Sequence, residues 1–136
     1  MAKKRILFVC THNSGRSQMA EAFLNALAGD RYEAVSAGTE PRPINPHVIT
    51  AMREAGIDIS HRRSKSVDEF LDLKFDLVVT LCDSAKESCP YFPGGASRIH
   101  QSFPDPSGCR GAEPEILECV RRIRDDIKNW IVQAFK

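Results

Sequence analysis

The sequence has no long apolar stretch and no excess of charge of either sign. Its first apolar run, Ile6–Val9, has four residues, whereas a membrane-spanning helix needs about 20 and a signal peptide at least 7. The 136 residues carry 19 Lys and Arg against 18 Asp and Glu, a net charge of +1. No basic field is therefore available to attract nucleic acid or a membrane surface. We expect a cytoplasmic protein that binds neither.

Cysteine pairs spaced like zinc ligands are also missing. The chain has five cysteines, and no two of them are separated by two to four residues, so we predict no zinc site, no other metal and no cofactor. Because disulfides are rare in a reducing compartment, the cysteines are expected to be free thiols with catalytic or redox roles. Cys119 is predicted to pack in the last helix, and Cys109 to be an unassigned thiol in a glycine-rich loop.

Short apolar runs alternate with stretches of helical periodicity along the chain. Strands are predicted at 5–9, 32–37, 75–81 and 98–101, and helices at 17–28, 46–55 and 67–71. A further short helix is predicted with Asp83 as its N-cap and Pro90 as its end. The last helix is predicted after the loop 104–114. Trp130 lies in the apolar stripe of the last helix and is expected in the core. Strands alternating with helices are typical of a parallel sheet covered on both faces. We therefore predict one α/β domain over residues 1–136, acting as a monomer.

The segment between the first strand and the first helix has the composition of an anion-binding loop. Its small and turn-forming residues allow consecutive backbone N–H groups to converge on one point, and the helix that follows adds its positive N-terminal end. Arg16 supplies a planar fork that suits two oxygens of a tetrahedral oxyanion. The residues predicted to bind the oxyanion are Thr11, His12, Asn13, Ser14, Gly15 and Arg16.

Cys10 opens this loop and is the candidate nucleophile. A helix N-terminus and an arginine both favour the thiolate form, which would lie beneath the central atom of the bound oxyanion. Ser17 could donate a hydrogen bond to that thiolate. The alternative is that Cys10 is only a small buried residue at the end of a strand. The side chain of His12 is expected to point away from the anion, and His100 is expected to be a surface or helix residue.

The loop Cys10–Ser17 and the residues 18–21 after it resemble the low-molecular-weight protein tyrosine phosphatase superfamily, and more narrowly its thioredoxin-coupled arsenate reductases. The resemblance extends over nearly the whole chain and includes Ser36–Gly38, Val78–Cys82, Cys89-Pro90 and Asp105-Pro106. It implies a four-stranded parallel sheet of order 2-1-3-4 with helices on both faces. Cys10, Cys82 and Asp105 would then face one crevice at the point where the strand order reverses.

The resemblance also implies a mechanism that uses three thiols. Cys10 attacks arsenate while Asp105 protonates the oxygen that leaves. Cys82 then attacks Cys10 and releases arsenite, Cys89 attacks Cys82, and thioredoxin reduces the final disulfide. Without the resemblance, Asp105-Pro106 could be an ordinary turn, and Cys82 and Cys89 could be unrelated buried thiols. Weak hydrolysis of small aryl phosphates is an expected side activity.

The spacing of Cys82 and Cys89 predicts a conformational change. If the residues between them are helical, their Cα atoms lie about 10 Å apart, which exceeds the limit of about 7 Å for a disulfide. Oxidation should therefore unwind this helix and expose the new bond.

One position departs from a pattern that many of these reductases share, a potassium site built from an asparagine, a glutamate, a serine and an aspartate. Asn13, Glu21 and Ser36 match the first three, but Lys65 stands where the aspartate is expected. A lysine ammonium could take the place of the cation and pair with Glu21. We therefore predict activity that does not depend on potassium.

Two other functions remain open from the sequence. A protein tyrosine phosphatase could use Cys82 and Cys89 as a redox brake, although the phosphatases often carry a tyrosine where this chain has Ser107, and Tyr32 and Tyr91 are its only tyrosines. A small polar rim suits an inorganic oxyanion better than a phosphotyrosine ring. A non-enzymatic oxyanion or metalloid sensor is the third reading, and it would not need the acid Asp105.

Overall fold

The chain is described here from a computed structural model that covers residues 3–89 and 97–136. Four strands form one sheet in the order β2-β1-β3-β4, and each neighbouring pair is parallel. The strands are β1 (Lys4–Cys10), β2 (Tyr32–Gly38), β3 (Leu77–Thr80) and β4 (Ser97–His100). The predicted fold class and strand order are confirmed.

The central strand β1 explains why the first apolar run is continuous rather than alternating. Side chains from Ile6 to Val9 are at most 2% exposed, although successive residues of a strand point to opposite faces. Both faces of the sheet are therefore covered at β1, as expected for a parallel sheet.

Four α-helices accompany the sheet: α1 (Arg16–Ala28), α2 (Pro46–Glu54), α3 (Asp83–Ser88) and α4 (Glu113–Ala134). Helix α1 packs on β1 and β2, and α4 packs on α1 and α2. The buried face of α4 consists of residues three or four positions apart, Val120, Ile123, Ile127 and Ile131. Trp130 makes edge contacts with Phe103 and Phe135 next to the core, as predicted.

The short elements differ in detail from the prediction. The segment Val67–Phe70 is a 3-10 helix. The N-cap of α3 is Cys82 rather than Asp83, because the backbone of Cys82 is extended and its carbonyl already accepts the amide of Lys86. Asp83 is thus the first helical residue. The predicted stop at Pro90, like Tyr91, lies outside the described residues.

The prediction that Cys109 and Cys119 are free thiols was wrong, because they form a disulfide with Cα atoms 5.9 Å apart. Cys109 directly follows a 3-10 turn, Pro106–Gly108, and α4 begins four residues after Cys109. The second turn of α4 therefore carries Cys119 back to the end of the 3-10 turn. The remaining cysteines, Cys10, Cys82 and Cys89, are buried thiols outside this disulfide.

Within residues 3–89 and 97–136, no helix combines the length and the apolar character that crossing a membrane requires.

Candidate active site

The loop between β1 and α1 lies at the carboxyl end of the sheet and leaves its amides available to an anion. Asn13 adopts a left-handed backbone conformation with φ of 51°, which asparagine tolerates better than most residues. No side chain caps the start of α1 at Gly15. The first N–H groups of α1 are therefore not used by a cap and can bind a negative ligand.

The outer side of the loop is held by the segment that follows β2. The loop carbonyls of Cys10, Thr11, His12 and Ser14 accept the amides of Thr39, Glu40, Arg42 and Asn45 at 2.7 to 3.2 Å. Because the C=O and N–H of a trans peptide point in opposite directions, the loop amides turn to the inner side. Gly38 lies directly beneath, and a Cβ there would be 2.7 Å from the Thr11 carbonyl oxygen. Only glycine allows this close approach.

Two hydrogen bonds converge on the sulfur of Cys10. The Ser17 Oγ lies 2.9 Å from Cys10 Sγ, and the Asn13 amide donates to the same sulfur at 3.2 Å. Ser17 already accepts a hydrogen bond from Asn13 Nδ2 at 2.7 Å, so its own hydrogen is free to point at the sulfur. Donors aimed at the sulfur hold it in place and can stabilise negative charge on it during the reaction. This is the contact that the sequence predicted for Ser17.

The guanidinium of Arg16 is oriented before any anion arrives. Its Nη1 donates to the Phe103 carbonyl at 3.1 Å, and its Nη2 lies 3.6 Å from Asp105 Oδ2. The side chain is 10% exposed. Arg16 therefore joins the loop to the segment that carries Asp105.

Asp105 begins the 3-10 turn Pro106–Gly108 and accepts the amide of Ser107 at 2.9 Å. Burial raises the pKa of Asp105, but hydrogen bonds from Ser107 and the charge of Arg16 outweigh it and hold the pKa below its usual value. The lowered pKa favours the ionised form of the carboxyl. A bound oxyanion would offset the charge of Arg16 and favour the protonated form.

The second thiol lies beside the loop and the third at the far end of α3. Cys82 Sγ is 3.2 Å from Thr11 Oγ1, so a side chain of the loop contacts it directly. Cys89 follows the last residue of α3 and is buried. Burial raises the pKa of Cys89, an effect that the charge of Arg98 partly offsets. Cys89 is therefore held as a thiol, the less nucleophilic form.

Glu21 ends a buried chain of hydrogen bonds that starts at the loop. Asn13 Nδ2 donates to Ser36 Oγ at 2.9 Å, and Ser36 donates to Glu21 Oε1 at 3.0 Å. Lys65 Nζ lies 3.8 Å from the same carboxylate oxygen, and Arg62 pairs with the other oxygen. The sequence indicated Lys65 at this place but not Arg62, which no periodic pattern distinguishes.

The positions of two histidines can be compared with the prediction. The His12 ring donates a hydrogen bond from Nδ1 to the Glu40 carbonyl at 2.9 Å and so points away from the loop interior, as expected. His100 was expected as a surface or helix residue, and it lies at the end of β4 with its side chain 23% exposed. Its two ring nitrogens form hydrogen bonds with Thr80 Oγ1 at 2.8 Å and with Asp83 Oδ1 at 3.0 Å.

Comparison with known proteins agrees with this geometry. Residues 5–136 match the family model for low molecular weight phosphotyrosine protein phosphatase. The chain is 46% identical to an arsenate reductase of Halalkalibacterium halodurans, over 93% of this chain and 91% of that protein.

Two solved structures have the same fold. An arsenate reductase in oxidized state is 32% identical with a TM-score of 0.77, over 94% of this chain and 93% of that one. A low molecular weight protein tyrosine phosphatase from T. tengcongensis is 30% identical with a TM-score of 0.80, over 97% of each chain. The chain therefore belongs to the low molecular weight phosphotyrosine protein phosphatase family, a family of enzymes.

Proposed function

We propose that this protein reduces arsenate to arsenite through a relay of Cys10, Cys82 and Cys89. The observation that carries the proposal is the contact of Cys82 Sγ with Thr11 Oγ1 at 3.2 Å. Hydrolysis of a phosphate ester needs one thiolate and water, whereas reduction of As(V) needs two electrons from thiols. A second thiol in contact with the anion loop supports reduction.

The first step is attack by the Cys10 thiolate on the arsenic atom. The loop amides of residues 11–16 and the guanidinium of Arg16 bind the arsenate oxygens and neutralise their charge. An As–S bond forms, an As–O bond breaks, and Asp105 protonates the departing oxygen so that water leaves. The Ser17 hydroxyl, 2.9 Å from Cys10 Sγ, stabilises the attacking sulfur. Arsenic is still As(V) in the adduct.

The second and third steps are sulfur transfers. Cys82 attacks Cys10 Sγ, and the electron pair of the As–S bond stays on arsenic, which leaves as As(III) in arsenite. Cys89 attacks Cys82 Sγ and releases the Cys10 thiolate, so that the loop is restored. Helix α3 separates Cys82 from Cys89, and burial raises the pKa of Cys89, so Cys89 has to leave its buried position before it attacks.

The Cys82–Cys89 disulfide must then be reduced by an external dithiol. We propose a thioredoxin as this reductant, and a cytoplasmic monomer in which residues 1–136 act as one unit. The relay itself needs no metal and no cofactor.

The test is arsenate-dependent oxidation of NADPH in the presence of thioredoxin and thioredoxin reductase. The parent protein should turn over continuously, and Cys89→Ser should stop after one event per molecule. The double variant Cys109→Ser/Cys119→Ser removes sulfurs outside the relay and should complete many turnovers per molecule, even if each turnover is slower. Absence of turnover in the parent protein would refute the reductase proposal.

A second function, phosphotyrosine phosphatase activity, is favoured by the similarity to the solved tyrosine phosphatase. Cys10, Arg16 and Asp105 would perform the same attack and proton transfer on a phosphate ester, and water would then release the phosphate. Rapid hydrolysis of an aryl phosphate by a protein that does not reduce arsenate would establish this alternative.

A further inference from the structure

The Cys109–Cys119 disulfide joins the acid-bearing turn to the last helix. Within the turn, Gly108 donates to the Asp105 carbonyl at 2.9 Å and Cys109 donates to the Pro106 carbonyl at 3.1 Å. Asp105 and Cys109 therefore belong to one hydrogen-bonded unit of five residues. Cys119 lies in α4, ten residues further along the chain.

The opposite side of the same turn rests on the anion loop. A Cβ at Gly15 would lie 3.1 Å from Pro106 Cγ, and Arg16 Nη2 lies 3.6 Å from the Asp105 carboxylate. The turn is thus held between the loop on one side and α4 on the other. Because the contact with Arg16 is an ion pair at a partly exposed carboxylate, it fixes the position of Asp105 only weakly. A covalent bond at Cys109 limits the movement of the turn much more strongly.

We propose that this disulfide is a redox-controlled tether that positions Asp105 for proton transfer, and that a dithiol can open it. The proposal rests on the role of Asp105 in the proposed function. With the tether closed, the carboxyl stays at the mouth of the loop. With the tether open, the turn moves away from the bound oxyanion more often, and the step that needs the acid becomes slower.

The tether is placed where a reductant can reach it. Cys109 is buried, but Cys119 is partly exposed and lines a shallow depression together with Pro114, Glu118 and Arg122. A thiolate of the reductant attacks Cys119 Sγ, and Cys109 leaves as a thiolate that takes up a proton. The second thiol of the reductant then attacks the mixed disulfide and releases Cys119. Two electrons pass from the dithiol to the protein, and the reductant leaves as a disulfide.

The experiment compares two substrates that differ in their need for an acid. In a Cys82→Ser/Cys89→Ser background, dithiothreitol acts on the tether alone, and kcat/KM is measured for phenyl phosphate and for 4-nitrophenyl phosphate. Opening the tether should lower the value for phenyl phosphate about tenfold, and that for 4-nitrophenyl phosphate less than about twofold, since a general acid helps the poorer leaving group more. Reoxidation should restore both values.

Asp105→Asn in the same background separates the possible failures. It should show the same selective loss and no further response to dithiothreitol. If Asp105→Asn shows the selective loss but reduction of the tether changes kcat/KM for neither substrate, the tether proposal is overturned and the role of Asp105 as the acid is retained. If Asp105→Asn shows no selective loss, both the acid and the tether are overturned. An equal loss for both substrates on reduction would also overturn the tether, because it would reflect a general loosening of the fold.

Two further measurements do not depend on aryl phosphates. In denatured but unreduced parent protein, a thiol reagent should titrate three of the five cysteines. A count of five thiols would overturn the tether proposal. In a single turnover with arsenate, Cys109→Ser/Cys119→Ser should be about tenfold slower than the parent protein, and an unchanged rate would overturn it as well.

Discussion

Among single residues, Ser17 has the most direct connection to the nucleophile. It receives a hydrogen bond from Asn13 and directs its own hydrogen to Cys10 Sγ, 2.9 Å away. The hydroxyl is therefore oriented by the protein and not by the substrate. A donor fixed in this way stabilises the negative sulfur in the free enzyme and again when the sulfur becomes the leaving group.

Replacing Ser17 with alanine should slow the reaction without changing the fold. A hydrogen bond to a charged group contributes about 1.5–3 kcal/mol, so we expect alkylation of Cys10 by iodoacetamide at pH 7 to fall roughly ten- to hundredfold. The measurement uses the Cys82→Ser/Cys89→Ser background, in which Cys10 is the reactive thiol. Ser60→Ala, at an exposed position, is the control. An unchanged alkylation rate in Ser17→Ala would show that the hydroxyl does not act on the sulfur.

Lys65 should make the activity independent of potassium at neutral pH. Its ammonium lies 3.8 Å from Glu21 Oε1, where it adds a second positive charge to that of Arg62. Turnover at pH 7 should be the same in sodium and in potassium salts of equal ionic strength. Lys65→Asp should turn over faster in potassium than in sodium. A marked stimulation of the parent protein by potassium at pH 7 would contradict this prediction.

The same residue predicts a response to pH. Burial, with the nearby charges of Arg62 and Arg63, lowers the pKa of Lys65 to about 8. Because the group is positive below its pKa and neutral above it, Glu21 loses this counter-charge as the pH rises through 8. Stimulation by potassium should therefore appear in the parent protein at about pH 9. Its absence at that pH, under conditions where Lys65→Asp responds, would show that Lys65 keeps its proton.

Among the elements, the short helix α3 is tied to the edge strand β4 at both ends. His100 bonds to Asp83 in the first turn, and Arg98 donates to the Cys89 carbonyl at 3.3 Å. These two residues of β4 are two positions apart and so lie on one face of the strand. The attachments are polar and partly exposed, so that α3 can separate from β4 at low cost.

Oxidation of Cys82 and Cys89 should unwind α3. Hydrogen exchange of the amides 83–89 should become much faster in the oxidised protein, and the helical signal in circular dichroism should decrease. His100→Ala should raise the exchange of these amides in the reduced protein up to roughly fivefold, the effect of one partly exposed ion pair of about 1 kcal/mol. Val132→Ala, at an exposed position of α4, should leave them unchanged. Unaltered exchange after oxidation would contradict the unwinding.

The elements themselves were largely predictable, whereas several of their contacts were not. Continuous apolar runs and spacings of three or four residues predicted the strands and helices, with boundaries that differ by one or two residues. The loop and Asp105 were indicated by residue type and by a family resemblance. The partners of His100, Arg62 and Cys109 could not be predicted, because each contact joins residues far apart in sequence or depends on how a loop reverses direction. Hydrophobic periodicity and local spacing do not specify the course of the chain through its loops.

Across the whole molecule, the disulfide should contribute measurably to stability. A cross-link between residues ten positions apart lowers the conformational entropy of the unfolded chain and so destabilises the unfolded state by about 2–3 kcal/mol. Cys109→Ser/Cys119→Ser should therefore lower the free energy of unfolding in urea by about that amount, and dithiothreitol should have the same effect on the parent protein. Equal urea midpoints for variant and parent would show that the cross-link does not stabilise the fold. The Cys82→Ser/Cys89→Ser variant, which keeps the cross-link, should retain its response to dithiothreitol.

Because the strands are parallel, the reactive residues lie together at the carboxyl end of the sheet. Cys10 ends β1, Cys82 comes two residues after β3, and Asp105 lies beyond β4, so that residues distant in sequence meet where the strands end.

Gly38 has a consequence for attempts to transplant this loop into another protein. The close approach of the loop backbone to Gly38 means that the curvature of the loop is determined partly by a residue on the neighbouring strand. Copying residues 10–17 into an unrelated strand–helix junction would not reproduce the cradle if the neighbouring strand carried a side chain at the matching register. The transferable unit is therefore the loop together with a bare position on the adjacent strand.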